Sequence, residues 1–397
     1  MGLMAVDEAL SRIMATAQLS ATELVPLDQA MGRILTTAIK AKRHQPPFAS
    51  SAMDGYALRH PDISVPLKLV GVSAAGHAFK GTVKPHQAVR ILTGAPLPKG
   101  ADTIVIQENT KLDGTTLHIT APTEFGRNIR PIGLDFKSGD VLVPAGTKLN
   151  ARDIGLAAAG NAAMIRVRRK PRLVLFTTGD ELVLPGQKPR ADQIISSNSH
   201  AIAAMAAAWG CEVTNLGIIG DTLKATMAAI KKANSADILV TTGGASVGDH
   251  DYVQEALKKS SVKIDFWKIA LRPGKPFMFG TKGKLRIMGL PGNPVSALVC
   301  ARIFLKPFIA AMQGLNSDEN LIQARLGAAL PANDFRRDYM RARLSYAPDG
   351  TRTATAFAKQ DSSMQRNLRN ADCLIIREPE ASAAAADELV SVILLDI

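Results

Sequence analysis

Acids, glycines and hydroxyls cluster at the ends of apolar runs between residues 173 and 252. The run 173–177 ends in Thr177-Thr178-Gly179-Asp180-Glu181, and the stretch 217–221 ends in Asp221. The run 238–242 passes into Gly243-Gly244-Ala245-Ser246-Val247-Gly248-Asp249, with His250 and Asp251 behind it. Glycines between a strand and a helix let backbone N–H groups approach an anion, and the helix start favours negative charge. Gly243, Gly244, Ser246 and Gly248 are therefore candidate phosphate ligands; the plainer alternative is a tight turn. Glu181, Asp221, Asp249 and Asp251 would repel a phosphate unless a divalent cation stood between them. Mg2+ is held in that way, by one or two carboxylates plus phosphate oxygens, whereas a lone carboxylate after a strand is usually a helix cap. Further on, Lys268, Arg272 and Lys275 place three cations after one strand, which suits an oxyanion. Gly289-Leu290-Pro291-Gly292-Asn293-Pro294 then opens a helix.

Two common enzyme readings lack support. Neither a Walker A string nor GxGxxG is present. The segment 244–248 matches G-x-S-x-G, but of seven histidines only His250 follows the serine, four residues on. That is too close for the triad base of an α/β-hydrolase.

The elements that must position these groups follow from periodicity. Residues 171–312 alternate strands near 173–177, 213–218, 238–242, 264–270 and 285–288 with helices near 199–209, 222–232, 252–259 and 294–312. Such alternation predicts a mainly parallel sheet covered on both faces, a three-layer α/β domain. Ligands of such sheets bind at the carboxyl ends of the strands, where the unusual residues fall. Residues 44–149 carry short β-type runs at 67–72, 88–92, 103–107, 117–120 and 141–143, with turn signals such as Asp113-Gly114, and read as a β-rich module. Val6, Leu10, Ile13 and Met14 fall at helical spacing. Helices are also expected over 27–40 and 150–164. The fold class is therefore multidomain α/β plus β. It comprises a helical stalk and dimerisation segment (1–43 with 150–170), the β-rich module (44–149), the α/β domain (171–314) and a C-terminal β domain (320–397).

Composition narrows the partners. Lys plus Arg exceeds Asp plus Glu by 48 − 35 = 13, which suits an anionic ligand or simply a basic surface. Aromatic residues are only 5%, too few for a stacking platform, so no nucleic acid is expected. Cys211, Cys300 and Cys373 stand far apart, which argues against a disulfide framework and a structural zinc site. Asp7 and Glu8 stand where a signal peptide needs an apolar run, and no apolar run reaches membrane-spanning length. A cytoplasmic protein without a membrane partner is expected.

The strings PPFASSAMDGYAL (46–58), TGAPLP (93–98), NIRPIGLDF (128–136), TTGDEL (177–182), TTGGASVGDHDY (241–252), WKIALRPGKPF (267–277) and GLPGNPVSA (289–297) resemble the MoeA family. These are the molybdopterin molybdenumtransferases, related to the E domain of gephyrin. The α/β segment alone also resembles MogA, the molybdopterin adenylyltransferase, so the central domain is expected to be MogA-like. The resemblance implies a four-domain cytosolic homodimer. It would convert adenylylated molybdopterin and molybdate to molybdenum cofactor and AMP, with Mg2+ or another divalent cation. It places the functional acids on Asp54, Asp135, Glu181, Asp221 and Asp251, of which Glu181, Asp221 and Asp251 would hold the metal. Thr93 and Arg130 match substrate positions in the β module, Lys268 and Arg272 the basic site, and Pro291 and Pro294 its loop. Arg341 and Ser362 match by position only as molybdate ligands. Arg272 stands where the family often has lysine, and a guanidinium forks where an ammonium does not. Standing alone, the Asp54-Gly55 pair would be an ordinary turn. A stalk between the β module and the α/β domain implies a twofold dimer in which each active site is shared, and a MogA-type protein is a possible partner. Two alternatives stay open: adenylyl transfer onto the pterin, and a scaffold or anion-binding module without catalysis.

Overall fold

The computed structural model describes residues 2–243, 252–316 and 321–395. The chain divides into two compact units, Glu23–Val167 and Met1–Thr22 together with Arg168–Ile397.

In the unit Glu23–Val167, six strands form one sheet in the order Thr103–Ile106, Gly55–Leu58, Gln87–Ile91, Leu67–Ser73, Thr116–Ile119, Thr110–Asp113. Every pairing is antiparallel except that of Leu67–Ser73 with Gln87–Ile91. Gly55–Leu58 is buried throughout and lies between two partners, with Tyr56 and Leu58 in one core cluster and Ala57 in another. A Cβ on Gly55 would lie 2.0 Å from the Val105 carbonyl oxygen, so only glycine lets these strands meet there. Asp113-Gly114 makes the expected hairpin, with Gly114 at φ +56°. A separate core of Val25, Leu35, Ile39, Val143, Ile165 and Val167 packs beside the helix Ala151–Ala159, which Asn150 and Asp153 close with a capping box.

The helix expected over 27–40 does not form. Only Leu27–Gln29 makes a single 3-10 turn; Ile34 and Leu35 bridge to Lys148 and Val167, and Ile39–Lys40 is a strand. The turn ends at Ala30 and Gly32 follows at φ +72°, and the β-branched Ile34, Thr36, Thr37 and Ile39 favour extended backbone.

The second unit holds the mainly parallel sheet, in the order Glu212–Ile219, Arg172–Thr178, Ile238–Thr242, Leu285–Leu290, Met278–Lys282, Lys263–Trp267. The first four strands run parallel, and the last two add as antiparallel neighbours. Alternate residues face opposite layers. Leu173, Leu175 and Val240 meet Ile202 and Val295 on one side, while Val174, Phe176 and Leu239 meet Ile230 and Val253 on the other. The N-terminal helix Val6–Met14 buries Val6, Ala9 and Ile13 in the first of these layers. The helix from Pro294 to Gln313 carries a π-helical stretch at Ala301–Leu305 and stops at Gly314, φ +76°. Among the described residues it is the one helix long and apolar enough to cross a membrane, and 78% of that window is buried inside the protein.

The C-terminal strands Ile322–Leu326, Arg337–Tyr346, Arg352–Ala356, Cys373–Arg377 and Leu389–Leu394 close into a small barrel, because Arg337–Tyr346 also pairs with Cys373–Arg377. Leu271–Arg272, from the segment following the α/β strand Lys263–Trp267, joins this barrel beside Arg337 and Asp338.

Candidate functional site

A cleft of about 680 Å³ opens at the carboxyl ends of the parallel strands. Thr177, Thr178, Gly179 and Glu181 reach it from the end of one strand, Asp221 from beyond the next, and Thr242 and Gly243 from a third. Pro291, Gly292, Asn293 and Pro294 supply a further wall. Gly243 has φ +82°, and a Cβ on it would lie 2.3 Å from the Thr178 carbonyl oxygen. Only a glycine permits this close crossing between two strand ends. Beneath it the hydroxyls of Thr177 and Thr242 hydrogen-bond each other, both buried.

Glu181 is exposed and Asp221 half-buried. The helix after Asp221 is capped by the Thr222 hydroxyl, which accepts from the Ala225 N–H at 3.2 Å. Capping there is thus the work of Thr222. Two carboxylates among threonine hydroxyls, with neither imidazole nor thiolate among the described residues lining the cleft, make a hard-oxygen donor set. Such a set fits a cation that takes its other ligands from phosphate and water. Among the described residues no three His, Cys, Asp or Glu side chains gather into a ready-made metal centre. Gly244, Ser246, Gly248 and Asp251 lie outside the described residues.

Side chains that sequence reasoning did not single out complete the cleft. Asn198 donates its amide to the Gly292 carbonyl at 2.7 Å and so holds the 289–294 loop. Asn293 donates to the Ser362 hydroxyl at 2.8 Å, and the Val295 N–H to the Ser362 carbonyl at 3.0 Å. Gln365 donates to Ser197, and both Ser363 and Gln365 line the cleft. The polar string Ser196-Ser197-Asn198-Ser199 before an alanine-rich helix was the available signal for the first of these. Ser362 was matched by position, but the contribution of Ser363 and Gln365 carries no local signal, because it arrives from the barrel.

Of the basic residues, Lys268 is half-buried with φ +80° and Lys275 is exposed beside Pro276, which lines the cleft. Arg341 is 1% exposed and donates through Nη2 to the Asp361 carbonyl at 3.1 Å. Burial pushes its pKa below the usual guanidinium value, against the fields of Asp338 and Asp361. Arg272 is surrounded by Asp338, Asp334 and Asn333.

The unit Glu23–Val167 assembles a second group. Asp54 accepts from both the N–H and the hydroxyl of Thr93, each at 2.7 Å. The Thr93 hydroxyl, then its N–H, hold the Asp54 carboxyl below its ordinary pKa. Arg130 lies on Ile129–Arg130, paired with Ser50–Ser51, and the Asp135 N–H donates to the Gln45 carbonyl at 2.9 Å. All four side chains are exposed.

Comparison with known proteins bears on this arrangement. The "MoeA N-terminal region (domain I and II)" family matches residues 4–160, a "Probable molybdopterin binding domain" 174–311, and the "MoeA C-terminal region (domain IV)" 323–395. A molybdopterin molybdenumtransferase of Haemophilus influenzae is 33% identical over 98% of this chain and 98% of its own length. The chain belongs to the MoeA family of molybdopterin molybdenumtransferases. Another MoeA-family relative, the molybdopterin molybdenumtransferase of a Nostoc species, is 39% identical over 74% of this chain and 70% of its own. The MoeA protein of molybdopterin biosynthesis from Pyrococcus horikoshii superposes in two crystal structures with TM-scores of 0.84 and 0.78. Each is 27% identical and covers 99% of this chain and 99% or 100% of its own. Within this MoeA-family framework, Glu181, Asp221 and Gly243 share one cleft, while Asp54 and Thr93 are bonded together in the other unit.

Proposed function

We propose that this protein inserts molybdenum into molybdopterin, taking the adenylylated pterin and molybdate and releasing AMP. The observation that carries this reading is the cleft itself: Glu181, Asp221, two threonine strand ends and Gly243 facing one cavity. Glu181 and Asp221, with Asp251, would hold a divalent cation such as Mg2+. When bound, that cation supplies charge neutralisation for the phosphoryl oxygens of the adenylate. The backbone at Gly243 receives the phosphate, and Pro291 and Pro294 keep the facing loop in shape. Water then adds to a phosphorus of the phosphoanhydride, the bridging P–O bond breaks, and AMP and the pterin phosphate separate, with one proton released. Lys268, Lys275 and the Ser362 hydroxyl meet molybdate at the rim, with the Arg341 charge behind the Asp361 turn.

Asp54, Thr93, Arg130 and Asp135 act from the other unit. We read the chain as four domains in a cytoplasmic homodimer, with the Asp54 group of one subunit serving the cleft of its partner. An adenylyltransferase of the MogA type would supply the substrate. The test is purified protein given adenylylated pterin, molybdate and Mg2+. AMP release that depends on molybdate is expected. Pterin adenylylation from ATP would establish the rival adenylyltransferase reading, and neither activity would leave the scaffold.

A further inference from the structure

Arg272 lies on the two-residue strand that joins the α/β segment to the barrel, directly beside Asp338. Its Nε and Nη2 both donate to Asp338 Oδ2, at 2.9 and 2.6 Å. Its Nη1 reaches Asp334 Oδ2 at 3.0 Å, and Nη2 reaches Asn333 Oδ1 at 2.9 Å. Four of the five N–H donors of the guanidinium are therefore used on three side chains. The Asp338 side chain is only 7% exposed, and Asp334 is shared with Arg336 at 2.6 Å. A cation with two carboxylates on it has little field left for a dissolved oxyanion, which would also meet the repulsion of those carboxylates.

The same strand, Arg337–Tyr346, carries Arg341 three residues beyond Asp338, and the Asp338 field also acts on Arg341. Arg341 in turn holds the Asp361 carbonyl and, through its backbone, Gln360. Beyond Asp361 come Ser362, bonded to Asn293, and Ser363, on the cleft wall. A continuous set of bonded groups thus leads from Arg272 to the rim of the cleft.

We infer that Arg272 is a positioning residue that fixes the barrel strand bearing Arg341, and through it the 361–363 turn, instead of contacting molybdate. A lysine there would keep the charge, but a single ammonium with three donors cannot make four bonds spread over Asp338, Asp334 and Asn333. The inference rests on the reaction proposed above, and it separates Arg272 from Lys268 and Lys275. Among the described residues neither of those lysines forms an ion pair.

The experiment compares full-length Arg272→Lys, Arg272→Ala, Asp338→Asn and the double variant Arg272→Lys/Asp338→Asn. Each single change should lower the melting temperature by about 4 °C, and the double change should lower it no further than the worse single one. Well below melting, Arg272→Ala and Asp338→Asn should share one kinetic defect. We expect kcat down about tenfold and KM for molybdate within about twofold of wild type. Arg272→Lys should not restore kcat. The inference is overturned if Arg272→Ala raises the molybdate KM about tenfold while Asp338→Asn leaves it alone, or if Arg272→Lys turns over like wild type. Additive melting shifts would overturn it as well. Asn333→Ala leaves both carboxylates on Arg272 but removes its Oδ1 acceptor and the amide's bonds to the Arg336, Arg377 and Glu378 carbonyls, and should show the same kinetic pattern if the other changes prevent folding. A wild type without molybdate-dependent turnover would sink the proposed reaction, and the melting cycle would still decide whether Arg272 is such a strut.

Discussion

The cleft of the α/β unit and the Asp54 face of the β module carry the same kinds of residue in opposite settings. The cleft has depth: strand ends, a hydroxyl floor and a loop wall surround Glu181 and Asp221. The Asp54 face presents its four polar groups outward, and exposed Met53, Leu92, Ile132 and Leu134 occur in the same loops. Yet Asp54 is already oriented, by two bonds from Thr93. A carboxylate held by two bonds at an open surface is the feature that the proposed sharing of the site between subunits would use. The comparison teaches that, of the two groups, the cleft has the walls to enclose a ligand by itself and the Asp54 group does not.

The comparison can be broken first at the cleft. Asp221→Asn keeps the shape and removes the charge that a bound cation needs, so kcat should fall on the order of 100-fold. The loss should be partly recovered by raising Mg2+. A variant with wild-type kcat and an unchanged Mg2+ requirement would mean that the cleft acids are not the metal-holding half.

The smallest expected effect sharpens the other half. Thr93→Val removes the hydroxyl and leaves the backbone N–H, so Asp54 should titrate closer to the ordinary carboxylate value of 3.8. Because the folded pKa is depressed, the stabilising bonds are present above that value and fade as pH falls through the depressed one. Carboxyl carbon NMR would read the shift, and an unchanged Asp54 midpoint would show that Thr93 does not set its charge.

Much of the cleft was legible in the sequence, because strand-helix alternation fixes which edge of a parallel sheet carries ligands. Glu181, Asp221 and Gly243 fall at strand ends for that reason, and the hairpin at Asp113-Gly114 follows from its turn residues. The legible part ends where non-local pairing decides. The segment 27–40 looks helical by apolar spacing, but its hydrophobic residues bury against strands more than a hundred residues away. The strand Met278–Lys282 is not among the strands expected from the sequence. It exists because Leu285–Leu290 offers it an antiparallel partner. Arg272 read as an open cation because Asp334 and Asp338 stand some sixty residues further along the chain. The segment 362–365 reaches the cleft through hydrogen bonds of comparable sequence separation or more.

The shared site is tested most directly by mixing inactive subunits. Asp54→Asn chains and Asp221→Asn chains are unfolded or dissociated, re-equilibrated together, and assayed for molybdate-dependent AMP release, with subunit exchange confirmed by mass. In a mixed dimer with shared sites, one site collects both lesions and the other collects none. Random twofold pairing makes about half the dimers mixed, so activity should return to about a quarter of wild type. A fully exchanged mixture that stays as inactive as its parents would contradict the account, because sites built within single subunits leave every one of them damaged.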